Sequence, residues 1–486
     1  MGAMIKLFEA GKGKYFYDVG RNQIVKVSNE EYKSLLAYKN MEHSEFFKLY
    51  EHNEAVQNNI KKYIDKGFLS DKKAKRIIHP YTYIAEDLLS KKLHMAILQV
   101  TQMCNLKCRY CPYSGNGYLD RKHLNKSMSI DIAKKSIDFI VDNGMFSNEF
   151  NIGFYGGEPL ISFELIKETV GYLQSKVQEK DISFFITTNG TLLSKDVIKF
   201  LAENNFSVTI SLDGPVHVHD KNRRQVVTGG GSFDVIYRTL ETINTEFPSF
   251  VKRIGINAVW DMEESYSEIL NFFVNDPILS KFEFSISPVD NTIIDASFSM
   301  VNDNFHEQQF NNMISMMDNV GLIKLNNSEN DKSSLKIVED FEAKLIPRIE
   351  LPDECHFGGM CLPGYNRLFI DSDGNMFPCE KVSANSKTAK IGNIFEGFDY
   401  PQIKKIMNVG ALTPNECKDC WCGQFCTCCF KFVDDFNEMS REKKLNECQQ
   451  IKRSVLKTMK EYVMLKETKN LLMEIDDEYC FPTIQS

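Results

Sequence analysis

The sequence predicts an α/β chain: a partial (β/α)6 parallel barrel between an N-terminal winged-helix-like module and a cysteine-rich C-terminal domain. Three observations carry this prediction. Apolar strand-like runs alternate with amphipathic helical segments from residue 94 onward, the pattern of a parallel sheet with right-handed crossovers. A turn-flanked pair of short strands followed by helices fills residues 1–75. Of the 14 cysteines, three fall at 104–111 and the other eleven at 355–480, so two separate sulfur sites are implied.

Composition narrows the function before any motif is considered. A chain of 486 residues has room for two to four domains, and 43% hydrophobic with 26% charged residues is ordinary for a globular protein. The net charge of −8 argues against broad electrostatic binding to nucleic acid. No apolar stretch reaches the roughly 18 residues that a membrane span requires. The opening Met1-Gly2-Ala3-Met4-Ile5-Lys6 has no apolar signal core, so a cytoplasmic protein is expected. In a reducing compartment cysteines point to metal or catalysis before disulfides.

In the N-terminal module, Tyr15-Phe16-Tyr17-Asp18-Val19 and Ile24-Val25-Lys26-Val27 form strands around the turn Gly20-Arg21-Asn22. Ser28 and Glu31 have capping-box spacing, and Ile60, Tyr63, Ile64 and Phe68 recur at helical intervals. Residues 76–93 are expected as a linker, with the charge run Asp71–Arg76 solvated. The barrel is assigned to 94–320. Its strands are expected at 95–100, 150–155, 182–187, 206–211, 252–259 and 281–287, with helices near 130–144, 162–178, 194–204, 233–246, 262–274 and 303–319. Residues 321–486 make the cysteine-rich domain with a C-terminal helix. Cys104, Gly156-Gly157, Asn189-Gly190 and Asp213-Gly214 each follow a strand, which gathers them at the C-terminal face where parallel barrels build their sites.

Cys104, Cys108 and Cys111 form a CxxxCxxC loop. Three thiolates so close can wrap one compact centre, either an iron–sulfur cluster or zinc. Three ligands would leave one iron of a four-iron cluster open. The loop resembles the signature of radical S-adenosylmethionine (SAM) enzymes, in which that open iron binds SAM. The resemblance continues through Gly156-Gly157-Glu158-Pro159, which is similar to the family's GGEP segment, and implies that Gly156, Gly157 and Glu158 face the methionine amino group. Tyr110 holds the aromatic position near the adenine, and Ser211, Asp213 and Arg223 fall in the segment that contacts ribose and carboxylate. His219 reads as a loop-ordering residue rather than an acid–base group. Gly229-Gly230-Gly231-Ser232 lacks the Gly-Lys-Ser/Thr ending of a phosphate loop.

The later cysteines resemble the SPASM extension of peptide-modifying radical SAM enzymes, which carries two auxiliary four-iron clusters. The resemblance implies three 4Fe-4S clusters in all, one binding SAM. Cys355, Cys361 and Cys379 would hold the first auxiliary cluster, and Cys417, Cys420, Cys426 and Cys448 the second. The family's fourth ligand to the first cluster falls here on Phe430, so either Cys429 substitutes or an iron stays open. Cys422 and Cys480 fit no ligand position and read as small buried hydrophobes. The pairs Cys417/Cys420 and Cys426/Cys429 keep zinc as the rival here too.

The combination implies a maturase for a ribosomally made peptide. The N-terminal module resembles a precursor-recognition element that captures a leader segment by strand addition. An external electron donor such as flavodoxin or ferredoxin would reduce the SAM cluster. Glu380, beside Cys379, is the candidate base. The expected product is a thioether from a substrate cysteine. Carbon–carbon crosslinking and formylglycine-type maturation are the other enzymatic outcomes, and a zinc-bearing peptide-binding scaffold is the non-enzymatic one.

Overall fold

A computed structural model describes residues 2–111, 113, 123–289, 308–309, 311, 339–356, 359, 361–472 and 480–481. The expected helix at 303–319 and the boundary at 320 fall almost entirely outside the described residues.

The N-terminal module opens with an antiparallel meander of three strands: β1 (Ile5–Ala10), β2 (Gly13–Asp18) and β3 (Gln23–Val27). The expected pair is therefore a trio, since β1 lies before the first turn signal recognised. Ser28 caps the helix Asn29–Tyr38 as expected: Glu31 N–H donates to Ser28 Oγ at 3.2 Å, and Ser28 N–H to the Glu31 carboxylate at 2.7 Å. Two more helices follow, and Phe16, Leu35, Phe46, Ile60 and Phe68 close a core of their own. The outer edge of β3 pairs with a two-residue strand at Cys480–Phe481.

Residues 76–93, expected as a linker, instead hold β4 (Arg76–Ile77) and the helix Ala85–Lys91, whose Ala85 and Leu89 are buried. The preceding charge run is also not simply solvated. Lys72 pairs with Glu350 at 2.7 Å, Lys75 with Asp353 at 2.7 Å, and Lys73 with Asp419. Acidic residues far along the chain, which no local pattern reveals, supply the partners.

The strand–helix repeat is present. Parallel strands β5 (Met95–Thr101), β7 (Glu149–Gly156), β8 (Asp181–Thr188), β9 (Phe206–Ser211), β11 (Ile254–Trp260) and β12 (Glu283–Pro288) lie side by side in that order. Helices 130–142, 163–176, 195–203, 233–246 and 266–275 connect or cover them. Phe154, Phe184 and Phe206, one from each of three adjacent strands, stack beneath the helices. Between these elements, β6 (Leu106–Cys108) and β10 (Arg223–Gln225) pair as a separate antiparallel ribbon.

Among the described residues the sheet does not close into a barrel. Past β5 it runs on through β14 (Leu368–Ile370), parallel to β5, and then antiparallel through β15 (Asn375–Phe377), β16 (Gly392–Asn393) and β17 (Gly397–Phe398). The cysteine-rich region thus contributes four strands to one mixed ten-stranded sheet. It also sends β13 (Glu354–Cys355) to pair with β4.

Candidate active site and metal centres

The CxxxCxxC loop leaves β5 and is pinned at its middle by the β6–β10 ribbon, which sets Cys108 opposite Arg223. Arg109 N–H donates to Asn222 O and Val226 N–H to Asn105 O, both at 3.0 Å, so the loop is held on both sides of the ribbon. The end of β7 presses on the same loop. A Cβ on Gly157 would lie 2.2 Å from Met103 O, and one on Gly156 2.1 Å from Thr101 O. Only glycine lets the two backbones meet so closely. Gly157 N–H and Glu158 N–H then donate to Thr101 O and Met103 O.

Cys104, Cys108 and Cys111 all border one cavity of about 310 Å³, together with Tyr110, Gly156, Gly157, Ser211 and Arg223. These residues come from the ends of β5, β6, β7 and β9 and from the start of β10. Burial pushes the Cys104 thiol up to about 11 and the Cys111 thiol up to about 12. Such thiols surrender their protons readily only to a soft metal.

Two expected cofactor contacts lie behind the cavity wall. The Glu158 carboxylate is fully buried and accepts from Leu160 N–H, Thr188 Oγ1 and Asn189 N–H at 3.1, 2.8 and 2.7 Å. Desolvation raises its pKa to about 7 against those donors. Asp213 is equally buried. It accepts from Arg223 Nε at 2.9 Å, Val259 N–H at 3.0 Å and the Tyr110 hydroxyl. Both acids therefore hold the residues that do line the cavity. Arg223 lies 5.3 Å over the Tyr110 ring, with Nη1 3.9 Å from Cys108 Sγ.

His219 orders this loop from within. Asp213 N–H donates to its Nδ1 at 3.1 Å, so the network assigns the ring proton to Nε2, which meets Ser232 Oγ at 2.9 Å. Ser232 Oγ donates onward to Arg223 O. Burial lowers the imidazole to about 4, so it is neutral.

Asn189 was singled out in sequence only as a loop position. Its amide donates to Asn105 Oδ1 at 2.8 Å and approaches Cys104 Sγ at 3.9 Å, tying the β8 loop to the cysteine loop. His123 was not foreseen at all: its Nε2 lies 3.7 Å from Cys111 Sγ. No short motif surrounds it.

The later cysteines separate into two neighbourhoods. Cys361, Cys379 and Cys429 are close enough that their charges add to burial in raising Cys361 to about 11 and Cys379 to about 12. Cys417, Cys420, Cys426 and Cys448 border a second cavity of about 300 Å³. Cys355, expected with Cys361 and Cys379, lines that second cavity as well, because β13 is drawn to β4. Cys428 is fully buried, near enough to Cys426, Lys444, Cys448 and Cys429 to feel their charges, and Cys422 is buried as expected. Of the Cys480 side chain nothing is described. Glu380 pairs with Arg367 through Oε1, while its buried Oε2 has no hydrogen-bond partner among the described residues. Among the described residues no three His, Cys, Asp or Glu side chains close around a single metal ion. The donor set of soft thiols around roomy cavities fits clusters in which each cysteine takes a different iron.

Residues 98–264 match the family model for the Radical SAM superfamily. The chain thus carries a radical SAM domain. Its domain carries the cysteine loop, the glycine pair and the Asp213–Arg223 segment, and its chemistry calls for SAM and a four-iron cluster. A cysteine-type anaerobic sulfatase-maturating enzyme of Clostridium novyi (strain NT) is 27% identical over 357 residues, covering 68% of this chain and 85% of that protein. The radical SAM cyclopropyl synthase TigE of Paramaledivibacter caminithermalis is 25% identical over 301 residues, 56% of this chain and 62% of that one. The solved structure of native anSMEcpe with bound AdoMet and Cp18Cys peptide superposes with a TM-score of 0.56 at 19% identity, over 78% of this chain and 99% of the other. That likeness is one of fold. No helix among the described residues is long and apolar enough to cross a membrane.

Proposed function

We propose that this radical SAM enzyme modifies a ribosomally made precursor peptide, installing a thioether from a substrate cysteine. The convergence of Cys104, Cys108, Cys111, Gly157 and Arg223 on one cavity supports the radical chemistry, and the second and third groups of cysteines support its coupling to oxidation. When bound, a reduced SAM cluster supplies the electron that splits SAM to methionine and a 5′-deoxyadenosyl radical, which removes a substrate hydrogen atom. Thioether formation from a thiol and a C–H bond gives up two hydrogens in all. The radical takes one as an atom. The other leaves as a proton and an electron, for which Glu380 and the auxiliary cysteine sites are the candidate acceptors.

Within this reading, Cys104, Cys108 and Cys111 hold the SAM cluster and Gly157 opens backbone to SAM. Tyr110, Ser211 and Arg223 line its site, with Asp213 and Glu158 fixing their positions. Cys361, Cys379 and Cys429 are assigned to one auxiliary cluster, Cys417, Cys420, Cys426 and Cys448 to the other. Cys355 stands between them as the remaining thiol. The module at 1–75 is assigned to leader binding, and its meander of short strands fits a peptide that adds as a strand. A flavodoxin or ferredoxin would deliver the electron.

The similarity to cysteine-type sulfatase-maturating enzymes favours one other outcome, formylglycine formation from cysteine. Mass spectrometry of a cysteine-containing precursor, incubated anaerobically with SAM and reductant, separates the two. A thioether loses two hydrogens and keeps sulfur. Formylglycine loses the sulfur. Sulfur loss overturns the thioether reading, and an unmodified cysteine beside a new carbon–carbon bond overturns it as well.

A further inference from the structure

The second cysteine cavity holds a cation that the proposed chemistry has not used. Lys444 lies on the long helix Arg441–Leu472, one turn before Cys448 and on the same face. Its side chain turns inward and is 1% exposed. Nζ donates to Cys417 Sγ at 3.2 Å and also to Thr413 Oγ1. Thr413 Oγ1 itself lies 3.3 Å from Cys417 Sγ, so ammonium, hydroxyl and sulfur form one closed group. A buried ammonium is costly unless a counter-charge meets it. Cysteines that bind metal do so as thiolates, and they would supply that charge.

We propose that Lys444 sets the reduction potential of the centre held by Cys417, Cys420, Cys426 and Cys448, raising it by an N–H···S bond and a buried positive charge at Cys417. Reduction adds one negative charge to a cluster. A cation beside a ligand sulfur, shielded from water, stabilises that reduced form. Hydrogen bonds to cluster sulfurs and local charge are among the levers that set such potentials. Lys444 thus makes this site the readier electron acceptor. Lys452 lines the same cavity but is partly exposed, so its effect should be smaller.

The inference rests on the auxiliary-cluster reading, and redox titration of the reconstituted full chain, followed by EPR, tests it. Lys444→Met should weaken the reduction equilibrium of this centre at least tenfold, about 59 mV for one electron. Lys452→Met should shift it less, and Lys444→Arg should retain most of the wild-type value. A Lys444→Met chain with full iron and an unchanged potential overturns the inference. Should that variant lose its iron, wild-type chain labelled with ¹⁵N-lysine decides. A ¹⁵N coupling to the reduced centre supports the contact, and its absence overturns it. Failure of the cluster reading looks different: the wild-type chain would then bind iron only at Cys104, Cys108 and Cys111.

Discussion

Gly157 has no room for a side-chain carbon, because Met103 O occupies the place at 2.2 Å. Gly157→Ala must therefore push the cysteine loop away, and 5′-deoxyadenosine formation should fall about tenfold or more while iron in the C-terminal sites stays bound. Chromatography of the nucleoside and iron analysis check both parts. Asp213→Ala strands the Arg223 guanidinium in a buried pocket. Removing one partner of a buried pair costs about 3–5 kcal/mol, so a clear fall in Tm is expected. His219 makes a pH-dependent contribution. Its folded pKa of about 4 lies below the ordinary 6.5, so the unfolded chain takes up a proton that the folded one refuses. The stability is complete above pH 6.5 and is lost as pH falls toward 4, by about 3 kcal/mol for that shift. Denaturant midpoints at pH 7.5 and 4.5 should differ more for the wild type than for His219→Gln. Equal losses would mean that His219 is not the buried neutral group described.

Among the elements, the N-terminal module departs most from its sequence pattern. Asn22, at the turn before β3, donates to Lys344 O and Ile346 O at 2.7 and 2.9 Å, and Arg348 donates back to Gly20 O at 3.1 Å. Met4, Val19 and Ala74 line the cavity that Cys417 and Cys448 border. Deleting 1–75 should thus cost iron in the second auxiliary site as well as leader affinity, whereas SAM cleavage survives, since no described residue of the module lines the cavity of Cys104, Cys108 and Cys111. Retained iron after the deletion would contradict the packing. The capping box at Ser28 and the helical periodicity were legible because they are local. The ion pairs of Lys72, Lys73 and Lys75 were not, since their partners lie hundreds of residues away. Cys429→Ala should lower iron bound at Cys361 and Cys379, whose thiols feel its charge, while Cys428→Ala should leave that site filled.

Across the whole molecule, one sheet joins the SAM domain to the cysteine-rich region. Alternating strand and helix signals revealed the six parallel strands, and the order of the cysteine, glycine and aspartate loops revealed the cavity they share. The two to three residues of each strand from β14 to β17 carry too little pattern to be read, so the continuation of the sheet past β5 was invisible. So was the passage of Cys355 to the second cavity, which depends on a parallel pairing with β4. These joints place the cysteine-rich region beside β5, the strand that leads into the CxxxCxxC loop. The central claim is that Cys104, Cys108 and Cys111 together make the SAM-cleaving centre. Anaerobic assay of 5′-deoxyadenosine in the wild type and in a chain with all three changed to Ala tests it most directly. The wild type should form the nucleoside under reduction, and the triple variant should form none while keeping its C-terminal iron. Continued 5′-deoxyadenosine formation by the triple variant would contradict the claim.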